Sequence, residues 1–461
     1  MRRDLAGGKR GNGRLRQKFH SPRQRLVRRP DPRKIRIGKP DDSLTSVAGL
    51  VPFGVYLDDI GLDGQLEHLF GHLKTGDAVV YPMANTMHQL IDANALGVQR
   101  IFGLEGLAAD PLFVFLSGGS VPSIDTSYRD LERFGPEDIA VLEEIMAFHG
   151  RAIPIPRRCS TVHLDIDSTV EPLFGSQECA VRGYNPRYHG RPSYHPIIAH
   201  IPESGGYVAA MLRPGNTTLG RGDVPFIKDI VERTKLELGP GKKLRVRIDS
   251  AGDCTEIMSA IEDLRVTFVT KARMTEDLRN AIGATEDWVT VEWDEDGKPL
   301  RQFAEVKFRR DEWRKAGRCF RVVALRTREE RQGGQTFIWQ DLEYTVHAFI
   351  TCDHETFGDD IISEYDYRAG IEPMIAELKI CWGIGKVPSR SFDANQAMFL
   401  LKLLTANLVR RYVAAKAPEI ISWRVDWVRR ILFCVPGLLR SRSHGHTLRL
   451  PTNSYLSRWL Y

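Results

Sequence analysis

Two hydrophobic patterns divide the chain. From residue 44 to about residue 150, apolar side chains recur every three or four residues, as at Met83, Met87 and Leu90, which predicts helices with one buried face. From residue 156 onward apolar and polar side chains alternate instead, as in the segment 162–167, which predicts strands with one apolar face. We therefore expect a helical N-terminal part followed by a sheet.

The alternating segments follow one another in a recognisable order. A strand at 162–167 precedes two strand-like segments, 194–200 and 207–212, which are joined by a Gly-containing hairpin turn. A helix, a strand at 244–248, a second helix and a strand at 266–269 complete the order β-β-β-α-β-α-β. Two antiparallel steps followed by a right-handed crossover are typical of a ribonuclease-H-like α/β domain, which is the predicted fold class of the core.

Residues 276–352 break this alternation of helices and strands. They are predicted to be strands throughout, at 288–293, 303–308, 320–325 and 344–350, and a helical pattern resumes at about residue 359. We therefore expect a β-rich insertion that interrupts the α/β core.

Acidic side chains stand at the ends of two predicted strands. Asp167 and Asp249 each lie on the polar side of the alternation, at a strand end. If the two strands are neighbours, their carboxylates converge at one edge of the sheet, where hard oxygen ligands suit Mg²⁺. Asp165 shares the face of Asp167, so the pattern alone leaves open which of the two is the ligand; capping of a helix is the alternative role for such aspartates.

A third carboxylate lies on a polar stripe of a predicted helix. Tyr365, Arg368, Glu372 and Lys379 fall within an arc of about 60° at 100° per residue. A carboxylate for a metal, a guanidinium and an ammonium for phosphate, and a phenol as hydroxyl donor suit a phosphodiester substrate. Pro373 directly follows the glutamate, so the helix is expected to kink or restart there, and Tyr365 with Arg368 then belong to a separate turn.

Positive charge is concentrated at both ends of the chain. The sequence carries 65 Lys+Arg against 59 Asp+Glu, but residues 1–40 alone have a net charge of +13 and residues 402–449 one of +8. A segment as basic and as poor in apolar residues as the first cannot bury enough surface to fold alone. Basic ends around an acidic middle favour double-stranded DNA as the partner, although a solvated leader explains the N-terminal arm equally well.

Other sequence features narrow the class of protein. The seven Cys are scattered without a CxxC pair, which argues against a disulfide scaffold and a zinc finger and favours a reducing compartment. No apolar run approaches the roughly 18 to 20 residues of a membrane span, so we expect a soluble cytoplasmic protein with no membrane partner. A Gly118–Ser120 turn between two helical segments, with Arg129 and Arg133 off the apolar face, is compatible with a helix-turn-helix DNA reader or with an ordinary helical hairpin.

Together these motifs resemble a known family. The pattern Tyr365-x2-Arg368-x3-Glu372-x6-Lys379 matches the Tyr-Arg-Glu-Lys signature of the bacterial insertion-sequence DDE transposases of the cut-and-paste group. Five further blocks resemble the same group, from about residue 44 to the end: LDIDSTVEPLFGSQE (164–178), RPSYHP (191–196), MLRPGN (211–216), RIDSAG (247–252) and VRRILFCVPGLLR (428–440).

The resemblance implies roles for individual residues. Asp167, Asp249 and Glu372 correspond to the catalytic, metal-binding triad, and Tyr365, Arg368 and Lys379 to the residues that hold DNA phosphates near the cleaved end. In related transposases the insertion resembles a platform on which an aromatic ring stacks on a flipped base. Four of the eight Trp lie in the insertion, and the base-stacking candidates are Trp293, Trp313 and Trp339, with packing in the β-rich core as the alternative for each.

The sequence therefore predicts a DNA transposase that uses Mg²⁺, with Mn²⁺ as a substitute, cleaves the inverted ends of its element and joins the 3′ ends to target DNA. A dimer on DNA and a location at the bacterial nucleoid are implied by the resemblance. The rivals are another nuclease on the same fold and a transposase-derived DNA-binding protein without cleavage activity. The predicted boundaries are a basic disordered arm (1–43), a helical DNA-end-binding domain (44–155), the ribonuclease-H-like core (156–275 and 353–420), the β-rich insertion (276–352) and a basic C-terminal segment (421–461).

Overall fold

The computed structural model describes residues 31–183, 188–328, 344–443 and 445–460. The greater part of the predicted basic arm, residues 1–30, lies outside the described residues. The strands are β1 (Leu44–Thr45), β2 (Thr161–Ser168), β3 (Glu171–Pro172), β4 (Val181–Arg182), β5 (Pro192–Tyr194), β6 (Ile197–Ile201), β7 (Gly206–Met211), β8 (Lys243–Ile248), β9 (Thr267–Lys271), β10 (Val289–Trp293), β11 (Pro299–Val306), β12 (Arg321–Arg328), β13 (Tyr344–Thr351), β14 (Gly437–Arg442) and β15 (Gly445–Arg449).

Helices precede, follow and interrupt these strands. The α-helices are α1 (Leu50–Asp59), α2 (Leu62–Phe70), α3 (Met83–Ala95), α4 (Leu104–Leu107), α5 (Pro111–Leu116), α6 (Ile124–Leu131), α7 (Pro136–Arg151), α8 (Val224–Glu237), α9 (Thr255–Asp263), α10 (Glu276–Gly283), α11 (Asp311–Lys315), α12 (Gly358–Asp366), α13 (Ile371–Glu377), α14 (Phe392–Lys416), α15 (Val425–Val428) and α16 (Tyr455–Leu460). Among the described residues, no helix is long and apolar enough to span a bilayer.

A mixed sheet of nine strands, in the order β10-β11-β12-β13-β9-β8-β2-β6-β7, forms the centre of the protein. β2, β6 and β7 pair antiparallel in succession, whereas β8 and β9 run parallel to β2. The predicted order of strands and helices in this region is therefore present. Helices α8 and α9 connect β7 to β8 and β8 to β9, and their apolar faces pack on the buried side chains of the sheet.

The strands predicted for the insertion extend this same sheet. β13 pairs antiparallel with β9 over Phe349–Lys271 to Thr351–Val269, and β12, β11 and β10 follow outward. The prediction of strands throughout residues 276–352 was wrong in one respect, because α10 and α11 also lie there. Their apolar side chains, Leu278 and Ile282 of α10 and Trp313 of α11, close over the sheet, which the strand alternation did not reveal.

The N-terminal helices share a core with the C-terminal third of the chain. The 25-residue helix α14 packs against α7 and α3, and the Asn407 amide donates to the carbonyl oxygens of Met146 and Tyr207 at 2.8 Å each. The two-residue strand β1 pairs with β14, which joins both ends of the described chain in a small sheet. Segments predicted as separate domains are thus packed together, and the boundaries themselves stay predictions.

The predicted helix–turn–helix element consists of α5, a turn and α6. Ser123 caps α6, accepting a hydrogen bond from the Thr126 amide. Arg129 on α6 and Arg133, two residues after its end, are exposed, as predicted. The other face of α6 is held by Asp130, which lies 2.8 Å from the Lys74 ammonium. The arginines are therefore displayed outward, and their role in reading DNA stays a prediction.

Candidate active site

The register of two central strands brings the first two candidate carboxylates to the same edge of the sheet. β2 and β8 are parallel neighbours, and Ile166 of β2 pairs with Ile248 of β8. Asp167 and Asp249 are the next residues along the two strands. They therefore lie at the same level, at the carboxyl ends of the strands, as the alternation pattern predicted.

The choice between Asp165 and Asp167 is decided by their surroundings. Asp165 is only 1% exposed, and both of its carboxylate oxygens accept hydrogen bonds from Arg247, at 2.6 and 2.8 Å. Its pKa is raised by burial, which the hydrogen bonds from Arg247 oppose. Because Arg247 binds both oxygens, Asp165 has a structural role, and Asp167 remains the candidate ligand of the pair.

Asp249 lies at the edge of the sheet and also caps the short 3₁₀ turn that follows it. Its Oδ1 accepts a hydrogen bond from the Ala251 amide at 2.9 Å and so begins the short 3₁₀ turn Ser250–Gly252. Its carbonyl oxygen accepts from the Thr270 hydroxyl on β9 at 2.6 Å. These contacts fix the backbone at Asp249, and the capping role considered for this residue is present alongside its convergence with Asp167.

The helix predicted over the polar stripe is interrupted, as Pro373 indicated. Helix α12 ends at Asp366, a 3₁₀ turn covers Tyr367–Gly370, and α13 begins at Ile371. Pro373 is the third residue of α13, where the missing N–H has no partner to lose. A π-helical turn, Leu378–Trp382, follows. The stripe therefore runs over four segments with three kinds of backbone, and Tyr365, Arg368, Glu372 and Lys379 lie on one segment each.

Despite these interruptions, five of the six predicted residues act electrostatically on one another. Nη2 of Arg368 lies 3.1 Å from Oδ2 of Asp167. Burial raises the pKa of Asp167 to about 6, while Arg368 lowers it and the negative charges of Asp249 and Glu372 raise it further. Burial likewise raises the pKa of Tyr365 to about 12, against the lowering effect of Arg368. Glu372 itself is exposed.

Lys379 lies beside this group and is held by residues that follow β2. Its ammonium donates to the Val170 carbonyl oxygen at 2.9 Å and lies 3.2 Å from Oε1 of Glu171. Glu171 is buried, and burial raises its pKa while Lys379 lowers it. A Cβ on Gly385 would come within 2.1 Å of Oε2 of Glu171, so any larger residue there would displace the Glu171 carboxylate. Sequence reasoning missed Glu171, although it lies within the block 164–178 that carries the resemblance.

The donor set fits a divalent cation. Among the residues that the structure describes, no three His, Cys, Asp or Glu side chains are close enough together to hold a metal ion, and the cation beside Asp167 is the guanidinium of Arg368. Burial raises the pKa of Asp167, and the negative charges of Asp249 and Glu372 raise it further; a bound cation would offset both effects. Hard carboxylate oxygens at an accessible edge are the ligands that Mg²⁺ and Mn²⁺ accept.

The three tryptophan candidates differ in their surroundings. Trp293, at the end of β10, is 58% exposed and can offer a ring face. Trp313 is fully buried, in edge contact with Phe320 at 5.3 Å and Phe308 at 5.9 Å. Its proposed role as a base-stacking platform is therefore incompatible with this structure, because no face of its ring is free. Trp339 lies outside the described residues.

Comparison with known families identifies the class of protein. The family described as "Transposase DDE domain group 1" matches residues 28–460, nearly the whole chain. The chain belongs to this family. The predicted DDE transposase is thus confirmed at the level of the family, and the bacterial insertion-sequence origin stays a prediction.

Two solved structures are similar to this transposase at low identity. A piggyBac transposase synaptic complex with hairpin DNA is 12% identical, with a TM-score of 0.46 over 83% of this chain and 78% of that one. A Drosophila P element transposase strand transfer complex is also 12% identical, with a TM-score of 0.22 over 47% and 43% of the two chains. No curated protein sequence matches the transposase.

Proposed function

We propose that this chain cleaves the inverted ends of a mobile DNA element by metal-assisted phosphodiester hydrolysis and joins the resulting 3′ ends to target DNA. The observation that carries the proposal is the pairing of Arg368 with Asp167, a carboxylate on which the negative charges of Asp249 and Glu372 also act. The order β7-β6-β2-β8-β9 supports a ribonuclease-H-like core beneath them.

Asp167, Asp249 and Glu372 would hold the divalent cations. When bound, Mg²⁺ or Mn²⁺ supplies activation of water and stabilisation of the leaving 3′ oxygen. Water adds to phosphorus as the bond from phosphorus to the 3′ oxygen breaks; in the joining step, the freed 3′ hydroxyl attacks a target phosphodiester and displaces another 3′ oxygen. One phosphodiester is made for each one broken in joining, so no nucleotide cofactor is needed.

The other residues of the polar stripe bind and orient the DNA. Arg368 offers a planar donor pair for a phosphate, Tyr365 a hydroxyl kept protonated by its raised pKa, and Lys379 a single positive charge. The exposed Arg129 and Arg133 and the basic segments would hold the duplex, with Trp293 as the remaining described candidate for stacking on an unpaired base. A dimer that acts on paired DNA ends is the proposed active form.

The test uses a labelled duplex that ends in the element's terminal inverted repeat, with Mg²⁺ or Mn²⁺. We expect wild type to nick at the repeat end and to transfer the 3′ end into a plasmid, and Asp249→Ala and Glu372→Gln to bind the duplex without cutting it. Binding without cleavage by wild type would favour a transposase-derived DNA-binding protein. Cleavage without end preference, unchanged in Tyr365→Phe and Arg368→Ala, would favour a nuclease on the same fold.

A further inference from the structure

The segment that carries the polar stripe has little regularity of its own. Between Tyr365 and Trp382 the backbone passes from α-helix to 3₁₀ turn, back to α-helix and into a π turn. Short 3₁₀ and π segments have weaker internal hydrogen bonding than an α-helix. The positions of Tyr365, Arg368, Glu372 and Lys379 therefore depend on what holds the two ends of this segment.

At the first end, a buried arginine ties the segment to the central strands. Arg247 on β8 is only 2% exposed; its Nε and Nη2 bind Asp165 on β2, and its Nη1 donates to the Glu364 carbonyl oxygen at 2.6 Å. Glu364 immediately precedes Tyr365. One guanidinium thus links the strand that carries Asp167, the strand that carries Asp249 and the helix that carries Tyr365.

A second arginine on the same strand face reinforces this contact. Arg245 donates to the side chains of Glu364 and Asp353, and Glu364 also lies 3.9 Å from Nε2 of His163 on β2. Glu364 therefore receives Arg245 on its carboxylate and Arg247 on its carbonyl oxygen. Both bonds are directional, so they fix the rotation and height of α12 in a way that apolar contacts alone do not.

At the other end, a buried lysine holds the chain just after the π turn. Lys402 of α14 is completely buried, and its ammonium donates to the carbonyl oxygens of Gly383, at 2.6 Å, and Lys386, at 3.1 Å. Gly383 ends the π turn in the left-handed region, with φ of +62°. Arg429 supports the same end, donating to the Cys381 carbonyl oxygen at 2.8 Å.

We propose that Arg247 and Lys402 are positioning residues, which hold the backbone at positions 364 and 383 and thereby set where the polar stripe between them meets Asp167 and Asp249. Neither residue is expected to contact DNA, because both are buried. The inference rests on the proposed function for its consequence in cleavage, but the structural claim stands on the contacts alone.

The experiment compares Arg247→Lys and Lys402→Met with matched controls. Arg151→Lys changes a poorly exposed arginine whose Nε lies 2.6 Å from Glu237, between α7 and α8. Lys242→Met removes an ammonium that also binds two backbone carbonyl oxygens, those of Pro156 and Cys159, at the opposite end of β8. Asp165→Asn, which loosens Arg247 without deleting it, is measured in parallel in case Arg247→Lys does not fold.

Hydrogen–deuterium exchange of the full chain is the first readout. We expect Arg247→Lys and Asp165→Asn to speed exchange in peptides covering 361–370, and Lys402→Met in peptides covering 378–386, with β2 and β8 unchanged. The controls should leave both regions at the wild-type rate. Unchanged exchange in these peptides, or a uniform increase over the whole chain, overturns the positioning role.

The second readout is the cleavage rate at saturating end DNA. Since a shift of about 1 Å at a reacting group costs about 10²-fold, we expect Arg247→Lys and Lys402→Met to cut 10- to 100-fold more slowly, with a dissociation constant for end DNA within about threefold of wild type. Faster exchange with an unchanged cleavage rate also overturns the proposal. If wild type itself does not cut, the proposed function fails. The hydrogen–deuterium exchange rates alone then test whether Arg247 and Lys402 are positioning residues.

Discussion

Arg368 and Asp167 form an ion pair, in which Nη2 of Arg368 lies 3.1 Å from Oδ2 of Asp167. The proposed ligand of Arg368 is a DNA phosphate, whereas that of Asp167 is a divalent cation. Their side chains are only 8% and 15% exposed, so water screens the pair weakly. If Asp167 binds a divalent cation as proposed, the guanidinium would compete with that cation for the carboxylate. A DNA phosphate that draws Arg368 away would leave the carboxylate free, which links binding of the DNA end to binding of the metal.

This competition predicts that Arg368→Gln binds Mn²⁺ more tightly than wild type in the absence of DNA. A coupling of about 1 kcal/mol or more corresponds to at least fivefold in the dissociation constant, measured by electron paramagnetic resonance of free Mn²⁺. Lys379→Gln is the control, because it removes a nearby positive charge that pairs with Glu171 rather than with Asp167. Equal increases in Mn²⁺ affinity in the two variants would show that only the loss of positive charge matters. An unchanged Mn²⁺ affinity in Arg368→Gln would refute the competition.

The raised pKa of Asp167 predicts a dependence of stability on pH in metal-free protein. Burial, repulsion from Asp249 and Glu372, and the opposing effect of Arg368 give a pKa of about 6, against an ordinary value of 3.8. Because the folded protein favours the protonated carboxyl, this contribution to stability is full below pH 3.8 and is lost as the pH rises through 6. Asp167→Asn, which cannot ionise, should therefore be more stable than wild type at pH 7.5 by about 1–3 kcal/mol.

The measurement is the free energy of unfolding in urea with a chelator, at pH 4 and pH 7.5. The advantage of Asp167→Asn should shrink towards zero at pH 4, where the wild-type carboxyl is protonated too. Asp223→Asn is the control, since that carboxylate is also shielded from solvent but lies 2.7 Å from the Arg213 guanidinium; this variant should destabilise the protein. A wild type more stable than Asp167→Asn at pH 7.5 would contradict the assigned environment.

The positions of Asp167 and Asp249 were predictable because strand alternation and parallel pairing act locally. Once β2 and β8 are neighbours in register, the residues that follow their last pair, Ile166 with Ile248, lie at the shared edge. The restart of the helix near Glu372 was equally predictable, since Pro373 cannot take part in a continuous hydrogen-bonding pattern. These features need only short stretches of sequence and the chemistry of single residues.

Features that depend on three-dimensional packing were not predictable. Arg247 lies in the block 247–252 and Lys402 in the basic segment 402–449, but neither signal indicates that both side chains are buried and bind backbone carbonyl oxygens. Trp313 is a stacking candidate because it lies in the predicted β-rich insertion, but it belongs to α11, a helix that the strand alternation does not indicate. Glu171 has no periodic signal, because it lies in a two-residue strand beyond the end of β2.

The tryptophans give a paired prediction. Trp313→Ala should lower the free energy of unfolding by about 3–5 kcal/mol, the usual cost of deleting a buried aromatic side chain, because Trp313 fills the space between Phe308 and Phe320. Trp293→Ala, at an exposed site, should change it by less than about 0.5 kcal/mol. Urea denaturation of both variants provides the comparison.

A DNA substrate with an unpaired base near the cleaved end separates stacking from packing for Trp293. If its ring stacks on a base, Trp293→Ala should weaken binding of this substrate by about 1–3 kcal/mol and leave binding of a fully paired duplex nearly unchanged. Trp293→Phe should retain most of the affinity. Equal affinities of wild type and Trp293→Ala for both substrates would remove Trp293 from the list of stacking candidates.

Two adjacent arginines of the basic C-terminal segment are predicted to have separate tasks. Arg429 is 6% exposed, donates to the carbonyl oxygens of Asn94, Ala95 and Cys381, and lies over the Trp382 ring at 4.4 Å. Arg430 is exposed. Arg429→Ala should therefore cost about 3 kcal/mol of stability or more, since it leaves buried carbonyl oxygens without donors, whereas Arg430→Ala should cost less than about 0.5 kcal/mol.

Arg430→Ala should weaken DNA binding more than Arg429→Ala does, although it costs less stability. If Arg430 contacts a phosphate, Arg430→Ala should weaken duplex binding and reduce the slope of log K against log salt concentration by about 0.9. Arg429→Ala, studied at a temperature where it remains folded, should retain the wild-type slope, because its guanidinium does not reach solvent. A lowered slope in Arg429→Ala alone would show that the buried arginine is released towards DNA, and the separation of tasks between these neighbours would then be wrong.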